Sequence, residues 1–254
     1  MKRILNLPAS GILLVITDLH GNGEDFKKYE NIWKNHLEDG NQIILTGDLI
    51  HCSNSSKDRS VEILKAVQDY SEYENFHLLL GNHEWCHIVD APVYKGESNQ
   101  KKDFEELLKL KFGYRWVEKL EEYVEFFKTL PFAAKTGNGV LISHSGPPID
   151  SVYLGDLENI TEQCYHHNDM LDGLLWKRDY EFNQEDLEFF LKRNNCKYHI
   201  IGHTPVDGYQ VNYGKQLVIS SSFGCVRKAY LELDLEKNLE NMDELVKMVQ
   251  FLDE

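Results

Sequence analysis

Short apolar runs recur along this chain, and several are followed by a polar tip that contains glycine. Residues 12–16, 42–45, 76–80, 140–142 and 198–201 have the length and composition of buried sheet strands. Residues 216–219 and 229–233 predict two further strands. In the second of these, Ala229-Tyr230-Leu231-Glu232-Leu233 alternates as a half-exposed strand does. Between the strands the apolar spacing becomes helical. Phe26, Tyr29, Trp33 and Leu37 fall near one face of a helix over 24–37, as do Val61, Leu64 and Val67 over 60–70. Helices are also predicted over 103–112, 117–130, 184–192 and 242–251. The alternation argues for an α/β core with mixed strands. No linker divides the chain, so residues 1–254 read as a single domain, with 91–130 as a helical insertion or lid over one end of the sheet.

Composition acts mainly by exclusion. Hydrophobic residues make up 42% and charged residues 27%, as in ordinary soluble proteins. The formal net charge of −15 repels nucleic-acid phosphates, so no stable nucleic-acid partner is expected. No apolar stretch approaches the roughly 20 residues of a membrane span. Pro8, Ala9, Ser10 and Gly11 interrupt the apolar N-terminus. Neither a signal peptide nor a membrane anchor is expected, and a cytoplasmic location is. The cysteines, Cys52, Cys86, Cys164, Cys196 and Cys225, form no C-x-x-C pair and read as reduced thiols.

The strand tips carry the chemistry. In order they read Thr17-Asp18-Leu19-His20-Gly21, Thr46-Gly47-Asp48, Gly81-Asn82-His83-Glu84, Ser143-His144-Ser145-Gly146 and Gly202-His203-Thr204-Pro205. In α/β sheets, ligands bind outside the carboxyl ends of strands, and glycine there permits close backbone approach. Carboxylate, amide oxygen and imidazole suit Mn²⁺, Fe, Zn²⁺ or Co²⁺ better than Ca²⁺. Two cations about 3.5–4 Å apart can clamp the attacking and leaving oxygens of a phosphoryl displacement. A lone Asp at a strand end is ordinarily a cap or turn residue. A lone His is ordinarily structural, and His36, His77, His87, His166, His167 and His199 are read so. The metal expectation rests on the ordered series of tips.

That order, D-x-H-G, G-D, G-N-H-E, S-H-x-G and G-H-T-P, resembles the calcineurin-like metallophosphatases. Within them it looks closest to the phosphoprotein phosphatase branch, which holds serine/threonine phosphatases, bacteriophage-type protein phosphatases and symmetrical dinucleoside tetraphosphate hydrolases. The similarity runs roughly from Ile12 to Leu233. It implies an α/β (α+β) fold whose mixed β-sheet core is a β-sandwich flanked by helices, with metals at the strand carboxyl ends. It implies two divalent metal ions, Mn²⁺ in the first place, with Fe, Zn²⁺, Co²⁺ or Ni²⁺ as alternatives. Asp18 and His20 would bind one metal, Asp48 would bridge, and Asn82, His144 and His203 would bind the other. A hydroxide between the metals would attack phosphorus, with His83 as general acid. Arg178, in Trp176-Lys177-Arg178, would clamp the phosphate.

The second motif departs from the branch, which usually reads G-D-x-x-D-R-G. Here it is Gly47-Asp48-Leu49-Ile50-His51-Cys52-Ser53. The usual Asp would pair with His83; His51 in its place should make His83 a weaker acid. The usual Arg would grip a phosphate oxygen through its planar fork, which Cys52 cannot do. Arg59 is a nearby candidate to replace it. The resemblance implies hydrolysis of phosphate monoesters, with a phosphorylated protein or small molecule as partner and phosphoserine or phosphothreonine among the candidates. A dinucleoside polyphosphate or nucleotide hydrolase is the alternative, for which Trp85, Tyr94, Trp116 and Tyr153 could stack a base. A non-catalytic metal- or phosphate-binding module is the alternative of another class.

Overall fold

The computed structural model describes residues 2–148, 153–160, 165–166 and 168–253. Cys164 and His167 lie outside the described residues. One sheet has the strand order β13 (Val249–Phe251), β12 (Ala229–Asp234), β2 (Ile12–Ile16), β3 (Gln42–Leu45), β4 (Phe76–Leu78). The other runs β1 (Ile4–Asn6), β7 (Ala133–Lys135), β8 (Val140–Ser143), β9 (Tyr198–Ile201), β11 (Gln216–Ile219), β10 (Tyr209–Asn212).

The central strands are apolar throughout because both of their faces are covered. Leu13 and Val15 of β2 join Ile44, Val140, Ile142, Ile200, Leu217 and Leu231 in a cluster between the sheets. Leu14 and Ile16 face the other way, into a cluster shared with the helices. Helix α1 (Gly23–Glu38) buries Phe26, Tyr29 and Trp33, and Asn22 caps it by accepting from the Glu24 and Asp25 N–H groups. Helix α2 (Ser60–Tyr70) buries Val61, Leu64 and Val67, the stripe its spacing predicts. The result is a mixed sandwich of two sheets flanked by helices.

Strands β2, β3 and β4 run parallel, and so do β8 and β9. Their carboxyl ends lie at one edge of the sandwich. Helix α3 (Asn82–Ile88) starts directly after β4. A short hairpin, β5 (Tyr94–Lys95) and β6 (Ser98–Asn99), then leads into α4 (Gln100–Phe112) and α5 (Trp116–Lys128), which pack on α3. Helices α6 (Asp169–Trp176) and α7 (Gln184–Arg193) precede β9.

The helix expected over 242–251 is only partly formed. Helix α8 spans only Met242–Val246, and Val249–Phe251 is strand β13. It pairs antiparallel with β12, Ala229 opposite Phe251 and Leu231 opposite Val249, and so covers a sheet edge that would otherwise be open. Among the described residues, no helix is long and apolar enough to cross a membrane.

Ile44 is fully buried between the sheets. Ile44→Ala should destabilise the fold by about 2–5 kcal/mol, seen as a lower midpoint in urea unfolding. An unchanged midpoint would mean that this layer is not the close-packed core described.

Candidate metal centre

Asp18 and His20 follow β2, Asp48 follows β3, Asn82 opens α3, and His144 and His203 follow β8 and β9. All six are buried. Asp48 Oδ2 lies at their middle, 3.5 Å from His20 Nε2 and 3.5 Å from His144 Nε2. The tips approach closely because two glycines have no side chain. A Cβ on Gly81 would overlap Asp48, and one on Gly202 would overlap the Asp18 carboxylate. Asp18, His20, Asp48 and His203 all have positive φ, at 46°, 43°, 54° and 61°. Such backbone costs about 1–3 kcal/mol per non-glycine residue and clusters at functional sites.

The histidine tautomers follow from their outer contacts. His20 Nδ1–H donates to Ile50 O (3.0 Å), His144 Nδ1–H to Thr46 O (3.0 Å) and His203 Nε2–H to Trp176 O (3.2 Å). Each ring therefore turns a bare nitrogen toward the centre, the arrangement in which imidazole binds metals. Asn82 Oδ1 lies 2.8 Å from the bare His144 Nε2, which is 3.1 Å from the bare His203 Nδ1. No hydrogen lies in either gap. Turning the Asn82 amide over would point its nitrogen at Asp48 Oδ1, Asp48 Oδ2, His144 Nε2 and His203 Nδ1, within 2.8–3.3 Å. One NH₂ group has two hydrogens for those four acceptors. Cations satisfy this crowd of lone pairs where hydrogen bonds cannot, so the donor set fits divalent metals.

Burial pushes the carboxyl of Asp18 up to about 6, and those of Asp48 and Glu84 up to about 7. It pushes His20, His83, His144 and His203 below the ordinary histidine range. Without added positive charge this space disfavours charge on every side chain that lines it. The Asp18 carboxylate accepts from the His203 N–H, and Asp48 Oδ1 from the His83 N–H. Glu84, given no role in the sequence reading, accepts from the Asp48 N–H and Leu49 N–H, both at 2.8 Å. It holds the loop that presents Asp48.

His83 Nε2 faces the centre, 3.8 Å from Asp48 Oδ2. Its Nδ1 lies 2.6 Å from His51 Nδ1, so His51 does occupy the partner position. His51 Nε2 is in turn 2.9 Å from the Nε2 of His87, a residue read as merely structural. His36 meets Glu232, His77 meets Gln42, and His199 bridges Ser143 and Gln216.

Arg178 reaches the rim, its Nη1 3.5 Å from His203 O, and no carboxylate among the described residues forms an ion pair with it. Arg59 does not turn inward. It lies over Gly23 and donates to Asp58 O. Instead Lys95, from the hairpin, enters the site, a residue the sequence reading missed. Its Nζ is 3.7 Å above the Phe223 ring, 3.4 Å from His51 O and 3.2 Å from His20 Nδ1. That nitrogen's hydrogen already points to Ile50 O, so it offers the ammonium no acceptor. Burial lowers Lys95 to about 8, opposed by Asp48 and Asp18. Among the stacking candidates, Trp85 donates to Tyr165 O and packs on Trp176, Trp116 lies under Lys109, and Tyr94 and Tyr153 are exposed.

Residues 12–207 match the calcineurin-like phosphoesterase family model. A probable serine/threonine-protein phosphatase of Encephalitozoon cuniculi is 24% identical over 233 residues, covering 85% of this chain and 48% of that protein. Human serine/threonine-protein phosphatase 5 is 29% identical over 228 residues, covering 81% of this chain and 42% of that protein. The chain thus spans less than half the length of these relatives. Among solved structures, a Saccharomyces cerevisiae protein serine/threonine phosphatase superposes with a TM-score of 0.69 at 20% identity, covering 92% of this chain and 77% of its own. The cold-active protein-tyrosine phosphatase of a psychrophilic Shewanella does so with a TM-score of 0.66 at 19% identity, covering 100% and 83%. The fold is shared, and by its family match the chain belongs to the calcineurin-like phosphoesterases.

Proposed function

We propose that this chain is a metal-dependent phosphoesterase acting on phosphate monoesters. Asp18, His20 and Asp48 hold one divalent cation, and Asp48, Asn82, His144 and His203 hold a second. The observation that carries this function is the crowd of bare lone pairs around Asp48 Oδ2, rimmed by Arg178 and Lys95. Mixed nitrogen and oxygen donors accommodate Mn²⁺, Fe or Zn²⁺. When bound, such ions act as Lewis acids and bring a water's pKa toward neutrality.

The chain's own residues do the rest. Arg178 and Lys95 bind the peripheral phosphoryl oxygens and offset charge that grows on them. Lys95 takes the place of the arginine missing at Cys52. His83 presents Nε2 to the leaving oxygen. Glu84 keeps Asp48 oriented through the backbone. The serine/threonine phosphatases among the relatives and the tyrosine phosphatase among the structures support phosphorylated protein side chains as the substrate class. The free thiols of Cys52, Cys86, Cys196 and Cys225 suit a cytoplasmic location.

Metal-stripped protein given Mn²⁺ should hydrolyse p-nitrophenyl phosphate. Asp48→Asn should cut kcat by about 10²-fold or more and lower the metal content measured by mass spectrometry. Full turnover in that variant would refute the assignment of Asp48. Arg178→Ala and Lys95→Ala should keep their metals. Each should raise the inhibition constant of inorganic phosphate by about 10-fold or more, the worth of a charge-assisted hydrogen bond. Unchanged phosphate inhibition in Lys95→Ala would remove Lys95 from the site's chemistry.

A further inference from the structure

Granted the phosphoesterase activity proposed above, we infer that Phe223 is a positioning residue for phosphate binding. The face of its ring holds the Lys95 ammonium at the mouth of the metal centre, where Lys95 meets the phosphoryl group. A phenyl ring offers a phosphoryl oxygen no hydrogen bond, so Phe223 acts through Lys95.

Lys95 Nζ lies 3.7 Å from the centroid of the Phe223 ring. At that distance the nitrogen can only stand over the face, because an approach in the ring plane is stopped farther out by the C–H rim. The face carries the negative part of the ring's quadrupole and the rim the positive part, so the ammonium is drawn to the face. Lys95 Nζ is also 3.4 Å from His51 O, on the loop whose next residue is Cys52, where the family's arginine is missing. Ring and carbonyl together set the ammonium beside His20, which itself packs on Phe223 in a T-shaped contact with centroids 4.5 Å apart. An ammonium has three N–H donors. The ring and His51 O engage two, and the third is the one offered to a phosphoryl oxygen.

Which partner positions the other follows from how each is held. Ser220, Ser221 and Ser222, which lead from β11 to the ring, are all buried. Ser220 Oγ accepts from the Val206 N–H (2.9 Å), and Ser221 Oγ from the Thr17 N–H (2.9 Å). Ser222 Oγ donates to Asp25 Oδ2 (2.6 Å). Asp25 is fully buried on α1, and its carboxylate also accepts from Asn22 Nδ2 and Lys228 Nζ, both at 2.6 Å. The Phe223 N–H donates to Asp18 O (3.2 Å). Gly224 then turns the chain at φ 73°, where a Cβ would meet Pro205 at 2.7 Å. The ring therefore stands on backbone fixed from both sides. Lys95 stands on a hairpin of two residue pairs, Tyr94 opposite Asn99 and Lys95 opposite Ser98. A hairpin that short is marginal without outside contacts, and the ammonium ends a flexible four-carbon stem. The fixed ring thus positions the flexible lysine.

Holding the ammonium in advance spares phosphate the entropic cost of ordering that stem. A competing role for Phe223 is to wall off His20, which would act on the cation and not on Lys95. The two roles part when Lys95 is removed.

Two measurements test this. In Zn²⁺-loaded protein with ¹³C-labelled lysine, the Lys95 ε-methylene NMR signals, identified by their loss in Lys95→Ala, should be shifted upfield by the ring current. Phe223→Leu should remove the shift. Unshifted Lys95 signals in the wild type overturn the contact. In Mn²⁺-loaded protein, calorimetry with inorganic phosphate should give a Kd about 5-fold higher in Phe223→Leu, the worth of a partly buried cation–π contact. Phe223→Tyr, which keeps a π face, should bind within about 2-fold of the wild type. With Lys95→Ala already present, Phe223→Leu should change Kd by less than about 2-fold, whereas with Arg178→Ala present its full effect should persist. An equal effect of Phe223→Leu with and without Lys95 overturns the positioning role and assigns Phe223 to His20. So does loss of bound Mn²⁺ in Phe223→Leu, or a Phe223→Tyr that binds phosphate as weakly as Phe223→Leu. The same samples are assayed on p-nitrophenyl phosphate. No turnover overturns the phosphoesterase activity itself, while the ring-current shift and the phosphate titrations still judge Phe223. No phosphate binding by the wild type overturns both.

Discussion

Everything at this centre depends on one constraint: lone pairs of like polarity are held 2.8–3.5 Å apart, too close for a water to lie between them. Asp48 Oδ2, the bare nitrogens of His20, His144 and His203, and Asn82 Oδ1 repel one another unless positive charge lies among them. The polypeptide enforces the crowding in three ways. Four of the side chains stand on left-handed backbone. The glycines at 81 and 202 bring neighbouring tips into contact. The carbonyls of Ile50, Thr46 and Trp176 tie the outer edge of each imidazole. Strain of this kind persists only where the surroundings over-determine it, and here two sheets and their shared core do so.

The site also joins the two sheets. Asp18, His20, Asp48 and Asn82 come from the ends of β2, β3 and β4, whereas His144 and His203 come from β8 and β9. A cation held by both groups would link the halves of the sandwich. Binding that is strong only in the folded state adds to stability by mass action. The link has a direct precedent in the protein's own bonding, because the Thr17 N–H already donates across to Ser221 Oγ, and the His203 N–H to the Asp18 carboxylate.

Much of this was legible in the sequence because strands with both faces buried are apolar without interruption, and polar residues at their ends then stand out. The five tips are placed by such strands, and the structure brings all of them to one edge. Other features leave no local pattern. Lys95 sits in a two-residue strand, and Tyr94-Lys95-Gly96-Glu97 reads as an ordinary polar turn; only the path of the hairpin carries the ammonium inward. Glu84 acts through backbone N–H groups far along the chain, and no spacing rule predicts that. His87 is ordinary on its own helix and becomes informative only beside His51. Residues 249–251 carry apolar residues that suit a helix face or a strand equally, and the open edge of β12 decides between them.

The central claim is that this crowd of donors is a place for two cations. It is tested most directly by anomalous X-ray scattering from crystals grown with Mn²⁺. The expected result is two peaks about 3.5–4 Å apart, one bounded by Asp18, His20 and Asp48, the other by Asp48, Asn82, His144 and His203. The absence of both peaks at full Mn²⁺ saturation, with the donors relaxed into hydrogen bonds among themselves, would contradict it.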